Sequence, residues 1–154
     1  MMSYLIKKVD NHRDILPLIK RTMPREVYNK CVKVIDDYQD ERRLWGVYID
    51  KNLVGCSGVV LESDGTAWIS WTAVDRKWRG FGIGKALLQK SIRAARGRRI
   101  WVETYEHPIF FTAICLYLKL GFRLGEMKKN YLSDGSSVFY LKRLPKNRSM
   151  LNDD

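Results

Sequence analysis

Apolar residues recur along this chain with two different periods, and their order predicts a mixed α/β layout. Residues 3–9 (Ser-Tyr-Leu-Ile-Lys-Lys-Val) read as a first strand. Asp10 or Asn11 then supplies a side-chain oxygen to cap a helix that runs to about Thr22. Met23-Pro24 breaks it. Pro24 suits the start of a second helix reaching about Asp40, with Val27, Cys31, Val34, Ile35 and Tyr38 at helical spacing. The segments Leu44–Ile49 and Leu53–Leu61 then read as strands across the turn Asp50-Lys51-Asn52. Ser63-Asp64-Gly65 turns the chain into a third strand, Ala67–Val74, completing a meander. Plain alternation in this strand puts Ile69 and Trp71 on one face and Trp68 and Ser70 on the other. Trp71 then serves either as a pocket wall or as core.

After Val74 the pattern becomes strand, helix, strand. A helix over Gly82–Arg96 carries Leu87, Leu88, Ser91 and Ala95 on one side and Lys85, Gln89, Arg93 and Arg96 on another. Gly97 stops it, and Arg99–Thr104 is the next strand. Such a crossover implies a parallel pair. A largely apolar helix at about residues 110–120 follows, then strands Phe122–Tyr131 and Ser137–Leu144 joined by Ser133-Asp134-Gly135-Ser136. The expectation is one α/β domain (α+β in some schemes) over residues 1–144. It has a mixed, mostly antiparallel sheet of about seven strands with one central parallel pair, about four helices, and a flexible tail at 145–154.

Composition narrows the class. The chain has 154 residues, 45% hydrophobic and 29% charged, the balance of a globular domain. No stretch of about 18 uncharged apolar residues is present, so no membrane span is expected. The N-terminus lacks the order and length of a signal peptide. Cys31, Cys56 and Cys115 are widely spaced and fit neither a disulfide framework nor a metal pattern, which predicts reduced thiols in a cytoplasm and no metal site. The net charge of +11 is unevenly spread: Asp75 to Arg99 holds nine Lys or Arg and one acid, a net +8. Such a field gathers anions, whether a phosphorylated cofactor, an acidic substrate or a nucleic acid.

The chemistry concentrates in Arg79-Gly80-Phe81-Gly82-Ile83-Gly84-Lys85, between a strand and a helix. The first N–H groups of a helix lack internal partners and carry partial positive charge. Glycines there let a bulky anion reach them, so a pyrophosphate is a natural ligand. The segment is not a Walker loop and lacks the Gly-x-Gly-x-x-Gly spacing of a dinucleotide fold. It resembles the acyl-CoA-binding motif of the GNAT N-acetyltransferase superfamily, Arg/Gln-x-x-Gly-x-Gly/Ala, through Arg79, Gly82 and Gly84. The resemblance implies a GNAT-type domain with acetyl-CoA as co-substrate. The diphosphate would lie on the amides of residues 79–85 and the pantetheine arm along Thr72, Ala73 and Val74. A second stretch, Ala113 to Phe122, resembles the family's Ala-x-x-x-Tyr-x-x-x-Gly-Phe. By position Tyr117 inherits the role of general acid toward the departing thiolate, with a packed core tyrosine as the alternative.

The resemblance implies direct attack of an amine on the bound thioester, with a backbone N–H near Val74 supporting the oxyanion. Many relatives carry a Glu on the fourth strand; residues 67–73 have none. Glu103 is the preferred candidate for general base, with Glu62 behind it and water or His107 as substitutes. The competing role for Glu103 is an ion pair with an arginine. Acyl-CoA and a primary amine, small molecule or protein, are the expected partners. The acceptor's identity, the acyl group and the oligomeric state stay open, a homodimer included. Two alternatives remain: a nucleic-acid- or ribosome-associated module, although no nucleic-acid motif is present, and a GNAT domain that binds CoA without catalysis.

Overall fold

The structure, a computed structural model, describes residues 4–36, 42–95 and 97–145. The expected tail therefore lies almost wholly outside the described residues, as do Arg96 and the end predicted for the second helix. Seven strands form one sheet in the order β1-β2-β3-β4-β5-β7-β6. β1 (Leu5–Lys8), β2 (Arg42–Ile49), β3 (Asn52–Leu61) and β4 (Thr66–Val74) make an antiparallel meander. β4 pairs with β5 (Arg99–Tyr105) in parallel, and β5, β7 (Val138–Arg143) and β6 (Arg123–Lys128) are antiparallel again. The predicted seven strands and central parallel pair are all present.

Asn11 caps a 3₁₀ turn that continues into α1 (Leu16–Thr22), and Pro24 precedes α2 (Arg25–Val34). Both helices pack on one sheet face, burying Leu18, Ile19, Cys31 and Ile35 against Leu44, Cys56 and Ala73. α3 (Ile83–Ala94) and α4 (Phe111–Lys119) cover the other face, where Leu88, Tyr117 and Phe122 meet Val59, Ile69, Ile100 and Val102. Leu87, Leu88, Ser91 and Ala95 are buried, as the helical period requires. Gly121, with φ 98°, ends α4 in the left-handed conformation that a glycine C-terminus favours.

Two departures from regular pairing shape the centre. Gly58 pairs with Ser70 and Cys56 with Ala73, so Trp71 and Thr72 together oppose Ser57 in a β-bulge. Trp71 takes φ 55°, a conformation bulky residues rarely adopt. The bulge reverses the alternation of β4. Ile69 lies among the α3/α4 residues, but Trp71 packs with the cluster under α1 and α2. The expectation that Ile69 and Trp71 share a face is thus corrected, because strict alternation holds only in an unbulged strand. The second departure is at β5, where the parallel pairing ends at Ile69↔Val102 although β4 runs on to Val74 and β5 to Tyr105. The two strands part there and leave a gap through the sheet.

Candidate active site

The end of β4 is anchored before the glycine loop starts. The Asp75 N–H donates to Val54 O at 2.7 Å. Its carboxylate accepts from Lys77 N at 3.1 Å and from Arg21 Nε at 2.9 Å, which lowers the Asp75 pKa through the Lys77 amide first and Arg21 next. Arg79 folds back and donates from Nε to Val74 O at 3.1 Å. Gly80 and Gly82 then take φ 85° and 80°, where any side chain is strained. α3 begins with no side-chain cap and no acid in its first turn. Its first backbone bond runs from Ala86 N to Gly82 O, so the N–H groups of Ile83, Gly84 and Lys85 precede all intrahelical acceptors. These donors at the positive helix end suit an anion.

A cavity of about 620 Å³ runs from this loop to the gap between β4 and β5. Thr72, Ala73, Val74, Arg79, Gly80, Gly82, Ile83, Gly84, Lys85, Glu103 and Tyr117 all line it. Of the site residues expected from sequence, Phe81 is not on its wall: the ring is half exposed and packs 6.0 Å from Trp78.

Tyr117 projects from α4 into this cavity and is only 4% exposed. Burial pushes its phenol up to about 12, against a smaller downward pull from the Thr72 hydroxyl, so the proton is retained at neutral pH. Thr72 Oγ1 lies 3.0 Å from Ser57 Oγ, and Ser57 Oγ lies 3.0 Å from Ser91 Oγ in α3. A row of hydroxyls, those of Ser57 and Ser91 on fully buried residues, thus leads away from the phenol. Sequence reasoning missed Ser57 and Ser91; a lone serine on a strand or helix carries no signal of its own. Thr104, 2% exposed and also on the cavity wall, has no hydrogen-bond partner for its hydroxyl among the described residues.

On the far side of the gap, Glu103 pairs with Lys30 of α2 at 3.5 Å. The ion pair weighed for Glu103 exists, with a lysine in place of the anticipated arginine. Lys30 also donates to Tyr105 Oη at 3.3 Å and Tyr131 Oη at 3.2 Å. Glu62 lines the cavity, whereas His107 is occupied as a cap, its Nδ1 accepting from Ile109 N at 3.3 Å. Trp71 lines the cavity from the α1/α2 side; Trp68 stacks on Trp101 with centroids 5.9 Å apart. Among the described residues no group of His, Cys, Asp and Glu is arranged to hold a metal, and no helix is long and apolar enough to cross a membrane.

Comparison with known proteins agrees with this geometry. Residues 12–122 match the family model described as Acetyltransferase (GNAT) family. A spermine/spermidine N(1)-acetyltransferase of Bacillus subtilis is 32% identical over 97 residues, a match spanning 55% of this chain and 62% of that protein. Among solved structures, an IAA acetyltransferase from Bacillus cereus superposes with TM-score 0.74 at 20% identity, covering 92% of this chain and 99% of the other. A GNAT family acetyltransferase from Elizabethkingia anophelis with acetyl-CoA bound gives 0.73 at 21% identity, covering 94% and 99%. These likenesses establish a shared fold.

Proposed function

The chain belongs to the acetyltransferase (GNAT) family, and from that premise we propose that it transfers an acetyl group from acetyl-CoA to a primary amine by direct attack in a ternary complex. The observation that carries the reading is one cavity joining three uncapped helix amides, a buried phenol and a gap between two parallel strands. In this reading the diphosphate of the substrate lies on the amides of Ile83, Gly84 and Lys85, with Arg79 beside them. The pantetheine arm follows Thr72, Ala73 and Val74 toward the gap. The acceptor enters from the α1/α2 side.

The amine nitrogen bonds to the thioester carbonyl carbon, the carbon–sulfur bond breaks, and the phenol of Tyr117 gives its proton to the departing sulfur. The proton released by the amine passes to Glu103 or through water to solvent; because Lys30 holds Glu103, that transfer competes with an ion pair. Holding both substrates across the gap supplies much of the acceleration. The polyamine specificity named for the Bacillus subtilis relative supports an amine acceptor here. The thiols of Cys56 and Cys115, which form no disulfide, accord with a reducing cytoplasm.

Titration calorimetry with acetyl-CoA, followed by thiol release on adding a panel of primary amines, tests the reading. Saturable binding and amine-dependent thiol release are expected. Binding without release would leave a CoA-binding module, and salt-dependent binding to RNA without CoA affinity would replace the enzyme by a nucleic-acid module.

A further inference from the structure

The surroundings of Lys30 form a receptor for an alkylammonium. Its nitrogen donates to the Tyr105 and Tyr131 hydroxyls at 3.3 and 3.2 Å and pairs with Glu103 at 3.5 Å. It lies beyond the hydroxyl rim of both rings, 5.0 Å from the Tyr131 centroid and 5.8 Å from that of Tyr105. One carboxylate and two hydroxyl acceptors, each able to take a hydrogen bond from an ammonium, are groups that recognise such a cation. Glu103 and Tyr105 come from β5 and Tyr131 from the connection between β6 and β7, while the cation comes from α2. Glu26, one turn before Lys30, ties α2 to that connection: its carboxylate accepts from Ser133 Oγ at 2.8 Å and Ser133 N at 3.1 Å. The receptor is held together around the protein's own side chain.

Its position gives it a consequence. Lys30, Glu103 and Tyr105 line the same cavity that Tyr117 enters. Burial acts to lower the Lys30 pKa, but Glu103 and Tyr105 outweigh it, so the pKa is raised and the ammonium persists at neutral pH. A second ammonium on an acceptor would meet a carboxylate already neutralised and a fixed like charge beside it. Much of the rest of the wall here is apolar or aromatic: Met23, Val27, Trp71, Ile109 and Phe110.

The geometry points to Lys30 as a specificity-determining residue, filling the place of a second cation and selecting monoamines with an apolar body over di- and polyamines. This rests on the amine-acetylating reading above, and it separates the chain from the polyamine specificity named for its relative.

The test uses the whole protein, wild type and Lys30→Met, with phenylethylamine and spermidine as probes. Both kcat/KM values are measured, and spermidine binding to the CoA-loaded protein is followed by calorimetry. Wild type is expected to prefer phenylethylamine. Lys30→Met is expected to raise the spermidine-to-phenylethylamine ratio, and to tighten spermidine binding, by about tenfold, the size of one hydrogen-bonded contact to a charged group. Lys30→Arg keeps the charge and should behave as wild type, and adding Glu103→Gln to Lys30→Met should abolish the gain in binding. An unchanged ratio and unchanged spermidine binding in a folded Lys30→Met protein would overturn the inference. If no amine is turned over by any variant, the transferase reading falls, and calorimetry alone still decides whether Lys30 fills a cation site.

Discussion

Two substitutions at Gly84 separate what the glycine loop does for folding from what it does for binding. Gly84 is the second residue of α3, and no positive φ is recorded for it. A Cβ there would meet Val74 Cγ2 at 3.6 Å and Leu116 Cδ2 at 3.8 Å, ordinary van der Waals distances. Alanine is therefore free of strain, and replacing a helical glycine adds up to about 1 kcal/mol. For a domain of this size that is a rise in melting temperature of roughly 2–4 °C. A single methyl resting on Val74 and Leu116 leaves the amides accessible, so Gly84→Ala should keep acetyl-CoA affinity within a few-fold. Leucine has nearly the helix propensity of alanine, but its further atoms must enter the cavity that Gly84 lines. Displacing a diphosphate from two of its amide donors costs about 3 kcal/mol, or roughly 100-fold in Kd. Differential scanning fluorimetry and titration calorimetry on both variants read the two effects. A Gly84→Leu protein that melts like wild type and binds acetyl-CoA with unchanged Kd would refute the assignment of phosphates to this helix end. The same experiment at Gly80 or Gly82 is less decisive, since their φ of 85° and 80° make alanine itself cost about 1–2 kcal/mol.

Further outcomes follow from the buried hydroxyls. Tyr117→Phe should lower kcat about 100-fold while leaving the Kd for acetyl-CoA nearly intact; equal turnover would remove Tyr117 as the acid. Because the Tyr117 pKa is raised on folding, the unfolded chain loses this proton first. That stability is complete below about pH 10 and is lost as pH rises through about 12, a fall on the order of 2 kcal/mol. Urea unfolding at pH 9 to 12 should show the fall in wild type and a flatter profile in Tyr117→Phe; matching profiles would refute the burial argument. Ser57→Ala leaves Thr72 and Ser91 short of a partner and should cost about 1–3 kcal/mol. Ser91→Ala added to it should cost less than Ser91→Ala alone, and strict additivity in urea melts would mean the hydroxyls do not act as one network.

What the sequence disclosed was local. Gly82, Gly97 and Gly121 mark helix ends, and the crossover through α3 announced the parallel pair, because capping and chain direction depend on residues a few positions apart. Tyr117 was legible through its spacing from Gly121-Phe122. Lys30 was not: it sits 75 residues from Tyr105 and 101 from Tyr131, and on an amphipathic helix it reads as one more solvated lysine. The basic stretch held a similar ambiguity. Arg98, counted there as a potential anion ligand, instead donates to the carbonyls of Glu62 at 3.0 Å and Thr66 at 3.3 Å, fastening the turn before β4.

The feature that organises the site is also the one that alternation could not reveal. Were β4 regular, residue 72 would share a face with Trp68 and Ser70, turned toward α1 and α2. The extra residue at Trp71 turns Thr72 to the other face, where it reaches Ser57 and, through it, Ser91 of α3. The same step sends the Trp71 ring to the α1/α2 side of the cavity. One bulge therefore sets the phenol's hydroxyl partner on one side of the sheet and an aromatic wall on the other. The left-handed Trp71 backbone costs on the order of 1–2 kcal/mol. Cys56 opposes that cost: its thiol, kept protonated chiefly by complete burial, donates to Trp71 O at 3.0 Å. Relaxing this strained tryptophan at the mouth of the sheet gap would turn Thr72 away from Tyr117.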